Sequence, residues 1–103
     1  MDENLQTMLV TLNCAPEMEE HLIDWLLERD AGTGFTGYTA FGHGSHHDHL
    51  SVAEQVSGRQ RRIEFRIELQ GGQVAPLIDA LHSAFAGADV YFFVLPVVRS
   101  GHL

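Results

Sequence analysis

The clearest pattern in the sequence is an alternation of apolar and charged residues late in the chain. From Arg62 to Leu69, apolar residues occupy the odd positions and charged residues the even ones. Side chains alternate between the two faces of a strand, so this stretch predicts a strand with one buried face. Weaker alternation predicts strands over residues 5–13 and 35–43. Residues 90–95 are apolar without alternation, which predicts a strand buried on both faces.

Two other stretches have helical spacing. Residues 16–29 begin with Pro16 and several glutamates, which suit the first turn of a helix, and carry an apolar stripe that includes Trp25. Residues 74–85 predict a second amphipathic helix, with Pro76 in its first turn and Gly71-Gly72 ending the strand before it.

A third, shorter helix is predicted within residues 50–58. Ser51 and Glu54 have the spacing of a capping box, and Gly58 suits a C-terminal stop. A helix of one or two turns is marginal by itself, so it would need tertiary or inter-subunit packing to persist.

The order strand, helix, strand, strand, helix, strand predicts an α+β, ferredoxin-like fold in one domain spanning residues 1–103. Two helices would cover one face of a four-stranded antiparallel sheet, and a long loop would join strands two and three. The last strand is apolar on the face that the helices leave open. Another copy of the chain is the simplest cover, so we expect a homo-oligomer closed by cyclic symmetry.

Charge and composition limit the classes of partner that the chain is expected to bind. The formal net charge is −8, and all six basic residues are arginine. This balance disfavours nucleic acid and anionic membrane surfaces as partners. No apolar run reaches the ~20 residues needed to cross a bilayer, so no direct membrane insertion is expected. The acidic start has no signal-peptide pattern, and the single cysteine, Cys14, cannot form an internal disulfide; both favour a cytoplasmic protein.

Histidines concentrate in the loop between the second and third predicted strands. Four of the chain's seven histidines fall within residues 42–49. Neutral imidazole is the commonest protein ligand for Zn²⁺, Cu²⁺ or Ni²⁺, and a carboxylate can complete such a site. The predicted metal ligands are His43, His46, His47, Asp48 and His49. The alternative is a solvated polar loop without a metal, because the spacing matches no closed zinc motif.

Cysteine and arginine offer further candidates. Cys14 precedes a predicted helix start, where it is either a soft metal ligand or, more simply, a small buried residue. Arg59, Arg61 and Arg62 fit either a solvated start of a strand or a group that binds an anion through guanidinium forks. We expect no enzyme, because no set of nucleophile, base and orienting group is suggested and no phosphate-binding Walker loop is present.

Four segments of the chain form a recognisable set. They are Asp24-Trp25-Leu26-Leu27, Gly42-His43-Gly44-Ser45, residues 50–59 and Val94-Leu95-Pro96-Val97. Together they resemble the PII superfamily of trimeric signalling proteins, and more narrowly bacterial PII-like domains of unknown function found with heavy-metal efflux systems. The likeness runs from about Gln6 to the C-terminus.

This resemblance implies a homotrimer in which residues 43–60 take the position of the PII T-loop. It implies a loop that changes shape with an effector and docks on a membrane transporter, such as an efflux-pump component, or on an enzyme. It also implies adenine nucleotides bound between subunits. The candidate effector-binding residues are Gly42, Gly44, Ser45, Arg59, Arg61 and Arg99. The chain departs from the family at residues 86–88, which lack a glycine-rich, lysine-bearing phosphate loop.

Three functions therefore remain open. The first is a PII-like regulator that senses a transition metal through residues 43–49. The second is a sensor of an adenine nucleotide or another anion, bound between subunits. The third is a structural or interaction module without a ligand.

Overall fold

A computed structural model describes residues 3–30, 32, 34–43 and 59–103 of the chain. The described elements follow the predicted order. The strands are β1 (Thr7–Cys14), β2 (Thr36–His43), β3 (Arg59–Gln70) and β4 (Tyr91–Pro96), and the helices are α1 (Glu19–Arg29) and α2 (Gly71–Phe85). Short 3-10 turns span Glu3–Leu5 and Pro16–Met18. The ferredoxin-like α+β fold is confirmed. The helix predicted over residues 50–58 lies outside the described residues.

The four strands form one antiparallel sheet in the order β2-β3-β1-β4. β1 is central: it pairs with β3 from Thr7–Gln70 to Cys14–Ile63, and on its other side it pairs with β4. Among the strands of the described residues, β2 pairs with β3 alone and β4 with β1 alone, so these two strands form the edges of the sheet. The outer backbone groups of an edge strand can pair with another chain.

Both helices pack on the same face of this sheet. Val10, Leu12 and Cys14 of β1 are fully buried beneath them. The other buried apolar residues of this core are Leu22, Leu26, Ile63, Phe65, Ile67 and Leu81. Burying one such side chain contributes roughly 1.5–3 kcal/mol, so this single layer of contacts holds the sheet and the helices together.

Neither α1 nor α2 covers the opposite face of the sheet. Tyr91, Phe93 and Leu95 of β4 point to this face, and they are 58%, 63% and 52% exposed. Their β1 partners Asn13, Thr11 and Leu9 lie on the same side, because paired residues of neighbouring strands share a face. The expectation that the last strand is apolar on the face left open by the helices is confirmed.

Two boundaries differ from those predicted. β3 begins at Arg59 rather than Arg62, because residues 59–61 pair with the end of β2. β3 ends at Gln70, so Gly71-Gly72 ends the strand as predicted, but these two residues also form the first turn of α2, which begins at Gly71 rather than near Val74. The side chains of Gln70 and Gln73 form a reciprocal capping box there, which satisfies backbone N–H groups at the helix start and offsets the low helix propensity of glycine.

The position of Pro76 is also corrected. It was predicted in the first turn of the helix, but it is the sixth residue of α2 and so lies in the second turn. Proline has no backbone N–H, so the carbonyl of Gly72 has no hydrogen-bond donor at Pro76.

The helices of the described chain are short or polar. None of them combines the length and the apolar character that a bilayer-spanning helix requires.

Gly37 and Gly42 provide a matched test of packing in β2. A Cβ atom at Gly37 would lie 2.9 Å from Phe65 Cε1, and Phe65 is only 2% exposed and cannot move away freely. Gly37→Ala should therefore lower the free energy of unfolding by about 1–3 kcal/mol. The control is Gly42→Ala, where the nearest atoms are 3.8 Å from the new Cβ. Urea unfolding measures both, and equal losses would contradict this packing.

Candidate functional site

The predicted metal site and the predicted effector site both include residues at the open end of the β2–β3 hairpin. His43, the last residue of β2, pairs with Arg59, the first residue of β3. Both residues are exposed. The Arg59 guanidinium carbon lies 4.4 Å from the centre of the Phe41 ring, a cation–π contact that orients the arginine along the hairpin. The hairpin thus presents an imidazole and a guanidinium together where residues 44–58 connect its two strands.

Of the predicted metal ligands, His43 alone belongs to the described structure. His46, His47, Asp48 and His49 lie outside the described residues. Among residues 3–30, 32, 34–43 and 59–103, no cluster of three histidine, cysteine or acidic side chains could hold a metal ion. A metal site therefore depends on His43 and the undescribed residues, and it stays a prediction.

The predicted effector-binding residues do not come together within one chain. Gly42, Arg59 and Arg61 lie at the open end of the hairpin, and Gly44 and Ser45 lie outside the described residues. Arg99 belongs to the C-terminal segment.

That segment lies near the other end of β3. The hydroxyl of Ser100, next to Arg99, donates a 3.0 Å hydrogen bond to Glu68 Oε1. Glu68 is seven residues beyond Arg61, a distance of about 23 Å along a strand. A site using Arg61 and Arg99 together would therefore need two copies of the chain.

Cys14 is the buried residue that the simpler interpretation predicted. It has no exposed surface and packs within the core. Burial raises the pKa of the Cys14 thiol because a thiolate would lose its hydration, while the positive charge of Arg62 opposes this increase. The thiol therefore stays protonated at neutral pH, which does not favour the soft metal ligand considered above.

Arg62 departs from the solvated role predicted for it. It is only 5% exposed, although it lies on the sheet face without helices. Its Nε donates a 2.6 Å hydrogen bond to Asn13 Oδ1. Its Nη1 donates to Asp89 Oδ2 and its Nη2 to the Asp89 carbonyl, both at 3.1 Å. One buried guanidinium thus connects β3, β1 and the turn before β4.

A topological signal for this contact was present in the sequence. β3 and β4 both run antiparallel to β1, so the start of β3 and the turn before β4 lie at the same end of the sheet. Arg62 and Asp89 are opposite charges at these two places. Asp89 also adopts a left-handed backbone conformation, with φ of 59°, which aspartate tolerates better than most residues. The alternation of apolar and charged residues predicts that Arg62 faces solvent, and it gives no indication of the contact with Asp89.

A cavity of about 360 Å³ adjoins this contact on the helix side of the sheet. Asp89 and Phe92 line it from the β4 side, and His82 and Phe85 line it from α2. The His82 and Phe92 rings meet edge to face, with centroids 6.1 Å apart. Arg62 therefore lies three residues after Arg59, the first residue of β3, and its hydrogen-bond partner Asp89 lines this cavity.

Comparisons with known proteins agree with this architecture. The family described as "Protein of unknown function (DUF3240)" matches residues 4–103. A crystal structure of a DUF3240 family protein from Shewanella baltica OS155 has a TM-score of 0.74 and 19% identity, covering 100% of this chain and 99% of that one. No curated protein matches the sequence.

A second solved structure is CPII, a nitrogen regulatory PII-like protein from Thiomonas intermedia K12, bound to ADP, AMP and bicarbonate. It has a TM-score of 0.67 and 19% identity, and the match covers 94% of this chain and 96% of CPII. At this identity the likeness shows the fold, which is PII-like. The expected link to heavy-metal efflux is absent from these comparisons.

Arg62 should contribute far more to stability than a neighbouring exposed arginine. Arg62→Met keeps the apolar stem but removes the hydrogen bonds to Asn13 and Asp89. We expect a loss of about 1–3 kcal/mol, since Asp89 is partly exposed and is rehydrated when its partner is lost. Arg66→Met, on the same face of β3 but exposed, should change stability by less than about 0.5 kcal/mol. Chemical unfolding compares the two variants, and a neutral Arg62→Met would contradict the contact.

Proposed function

The chain belongs to the DUF3240 family of proteins of unknown function, and we propose that it is a PII-like regulatory protein that acts in the cytoplasm as a homotrimer. The observation that carries this proposal is the paired end of the β2–β3 hairpin. There the PII-like fold presents His43 and Arg59 side by side, at the two points where residues 44–58 join the sheet. A ligand held at this base can act on the connecting segment directly.

The proposed ligand is a transition metal ion, Zn²⁺, Cu²⁺ or Ni²⁺. His43 is exposed at the hairpin end, so its imidazole is accessible to solvent and to a metal. His46, His47, Asp48 and His49 follow within six residues and supply further nitrogen and oxygen ligands. Metal binding would change how residues 43–59 meet a partner, which we propose to be a metal-efflux component or another membrane transporter.

A second function is supported by the nucleotides and bicarbonate bound to CPII. In this alternative, an adenine nucleotide or another anion binds between subunits. Arg59 and Arg61 of one copy would face Arg99 of the next. Within one chain, Arg99 is next to Ser100, which bonds to Glu68, and Glu68 lies about 23 Å or more along β3 from the two other arginines. Guanidinium groups suit this role, since they bind phosphate and carboxylate bidentately.

Assembly into a trimer is supported by the exposed surfaces of a single copy. Both edge strands carry exposed aromatic residues: Tyr38 and Phe41 on β2, and Tyr91 and Phe93 on β4. Pairing β4 of one copy with β2 of the next is a head-to-tail contact that can close into a ring. The open sheet faces would then meet around the axis and remove Phe93 and Leu95 from water. The number three follows from the PII resemblance.

Metal binding is tested by calorimetric titration of Zn²⁺, Cu²⁺ and Ni²⁺ into the protein and into His46→Ala/His47→Ala/His49→Ala. Loss of three ligands should weaken binding at least tenfold, since each removes a coordinate bond. Binding should also weaken towards pH 5–6, where imidazoles become protonated. His21→Ala/His102→Ala is the matched control, because it removes histidines distant in sequence from the loop, and it should bind as the parent does.

The same protein separates the alternatives in a thermal-shift assay. A true ligand stabilises the fold by RT ln(1 + [L]/Kd), about 2.7 kcal/mol at a hundredfold excess over Kd. Stabilisation by ADP or AMP but by no metal would replace the first function with the second. No response to any metal or nucleotide would reject metal sensing and adenine-nucleotide sensing, and would favour a structural or interaction module.

The assembly is tested by placing a charge on the open sheet face. Phe93→Glu should convert the trimer into monomers, because three carboxylates would meet where apolar side chains are buried. Leu27→Glu is the control: Leu27 is similarly exposed, at 57%, but lies on α1, away from that face. Light scattering coupled to size exclusion gives the mass of each. A monomeric parent protein at micromolar concentration would contradict the proposal.

A further inference from the structure

A second cavity, of about 340 Å³, lies between the two helices at the opposite end of the sheet from His43. Its floor is the helix-covered face of β3, at Ile67 and Leu69. Its walls are the end of α1, Gly34 and Phe35 before β2, and the first half of α2. The apolar residues that line it are Leu26, Phe35, Ile67, Leu69, Pro76, Leu77 and Ala80. Its volume lies in the range of roughly 300–1,000 Å³ typical of small-molecule sites.

The lining includes one positively charged group, the guanidinium of Arg29. Its carbon lies 3.7 Å from the centre of the Trp25 ring, and its Nη1 donates a 3.2 Å hydrogen bond to the Trp25 carbonyl. These contacts hold the planar group in place. Its ion pair with Glu28 is 3.7 Å long and lies between side chains that are 43% and 76% exposed, so it is weak. Both of these polar contacts involve Nη1, so within the described residues Nε and Nη2 remain available as donors of fixed orientation.

The neighbouring polar groups are compatible with an anion at Arg29. Gln73 Oε1 accepts a hydrogen bond from the Gln70 N–H at 2.9 Å, which fixes the amide and leaves its NH₂ group as a donor. Asp30 carries a negative charge, but its Oδ1 accepts hydrogen bonds from the N–H groups of Gly32 and Gly34 at 3.1 and 3.0 Å. Its carboxylate is therefore committed to closing the turn after α1.

We propose that this cavity binds an amphipathic monocarboxylate of the medium-chain fatty-acid class. The acyl chain would occupy the space over Ile67 and Leu69, and the carboxylate would take the fork of Arg29. The argument is that the guanidinium of Arg29, with donors still available, lies beside a mostly apolar cavity, and this pairing matches one carboxylate on an apolar chain. A dicarboxylate fits less well, because its second charge would be buried without a partner.

This site is independent of the hairpin end. Phe35 precedes β2 and His43 ends it, so the two sites are about 26 Å apart along the strand. The cavity also lies within one subunit, on the helix side of the sheet. Metal or nucleotide binding at the hairpin could therefore fail while fatty-acid binding succeeds, and the reverse.

The single tryptophan reports on this site, because Arg29 stacks on it. Octanoate and decanoate, below their micellar concentrations, should change Trp25 emission saturably and raise the melting temperature. Each added methylene should tighten binding about fourfold, so decanoate should bind about fifteenfold more tightly than octanoate. 1-Decanol has the same chain without the charge, and it should bind at least about tenfold more weakly than decanoate. Equal binding of decanoate and 1-decanol would overturn the proposal.

Variants test where the ligands bind. Their affinities are measured by calorimetry, because replacing Arg29 changes the Trp25 emission of the protein without ligand. Arg29→Met should reduce decanoate affinity to that of 1-decanol while leaving 1-decanol binding unchanged. Ala80→Leu, which fills the cavity, should weaken both ligands. Arg66→Met, on the opposite face of the sheet, is the matched control and should bind as the parent does.

Thermal unfolding without ligand checks that each variant is folded. Arg29 is exposed, so its replacement is expected to leave the fold intact even if Ala80→Leu does not. Unchanged decanoate binding in a folded Arg29→Met variant, or no saturable binding by the parent protein, would reject the site.

Discussion

The architecture rests on one constraint, which is that a four-stranded sheet has two faces and that α1 and α2, the helices of the described residues, cover the same one. On the covered face, β1 supplies the centre of the core through Val10, Leu12 and Cys14. On the other face, apolar residues of β4 remain in contact with water in a single copy. Since exposing such a surface is costly, the unpaired edges and the open face together favour self-assembly over a solitary subunit.

A second constraint, at one end of that sheet, is the burial of the charged side chain of Arg62. Arg62 lies where three parts of the chain converge, and its hydrogen bonds to Asn13 and Asp89 join strands that are far apart in sequence. A buried guanidinium is tolerated only when its donors are satisfied, and here they bond to the side chains of Asn13 and Asp89 and to the backbone carbonyls of the same two residues. Arg62 also follows Arg59, the first residue of β3, by three residues. It therefore connects the start of β3 to the turn before β4. This arrangement offers a physical link between the hairpin and that turn.

The two proposed sites lie at opposite ends of the sheet. One region comprises the hairpin end, Arg62 and the space beside Asp89, all at the same end of the sheet. The other lies between the helices at the far end, where Arg29 is the cation of an apolar cavity. A PII-like fold can carry both, since the first uses the loop and subunit boundaries while the second uses the packing gap between α1 and α2 within one subunit.

Local pattern in the sequence determined most of the scaffold. Alternation along Arg62–Leu69 and helical spacing around Trp25 reflect which side chains must leave water, so they specify strands, helices and their buried faces. The histidines of residues 42–49 indicate metal chemistry by composition, without determining whether those ligands meet. Only tertiary structure decided that Arg62 is buried, that Arg99 lies far from Arg61, and that Arg29 joins an apolar cavity. Each of these depends on contacts between residues distant in sequence, and no local period encodes such contacts.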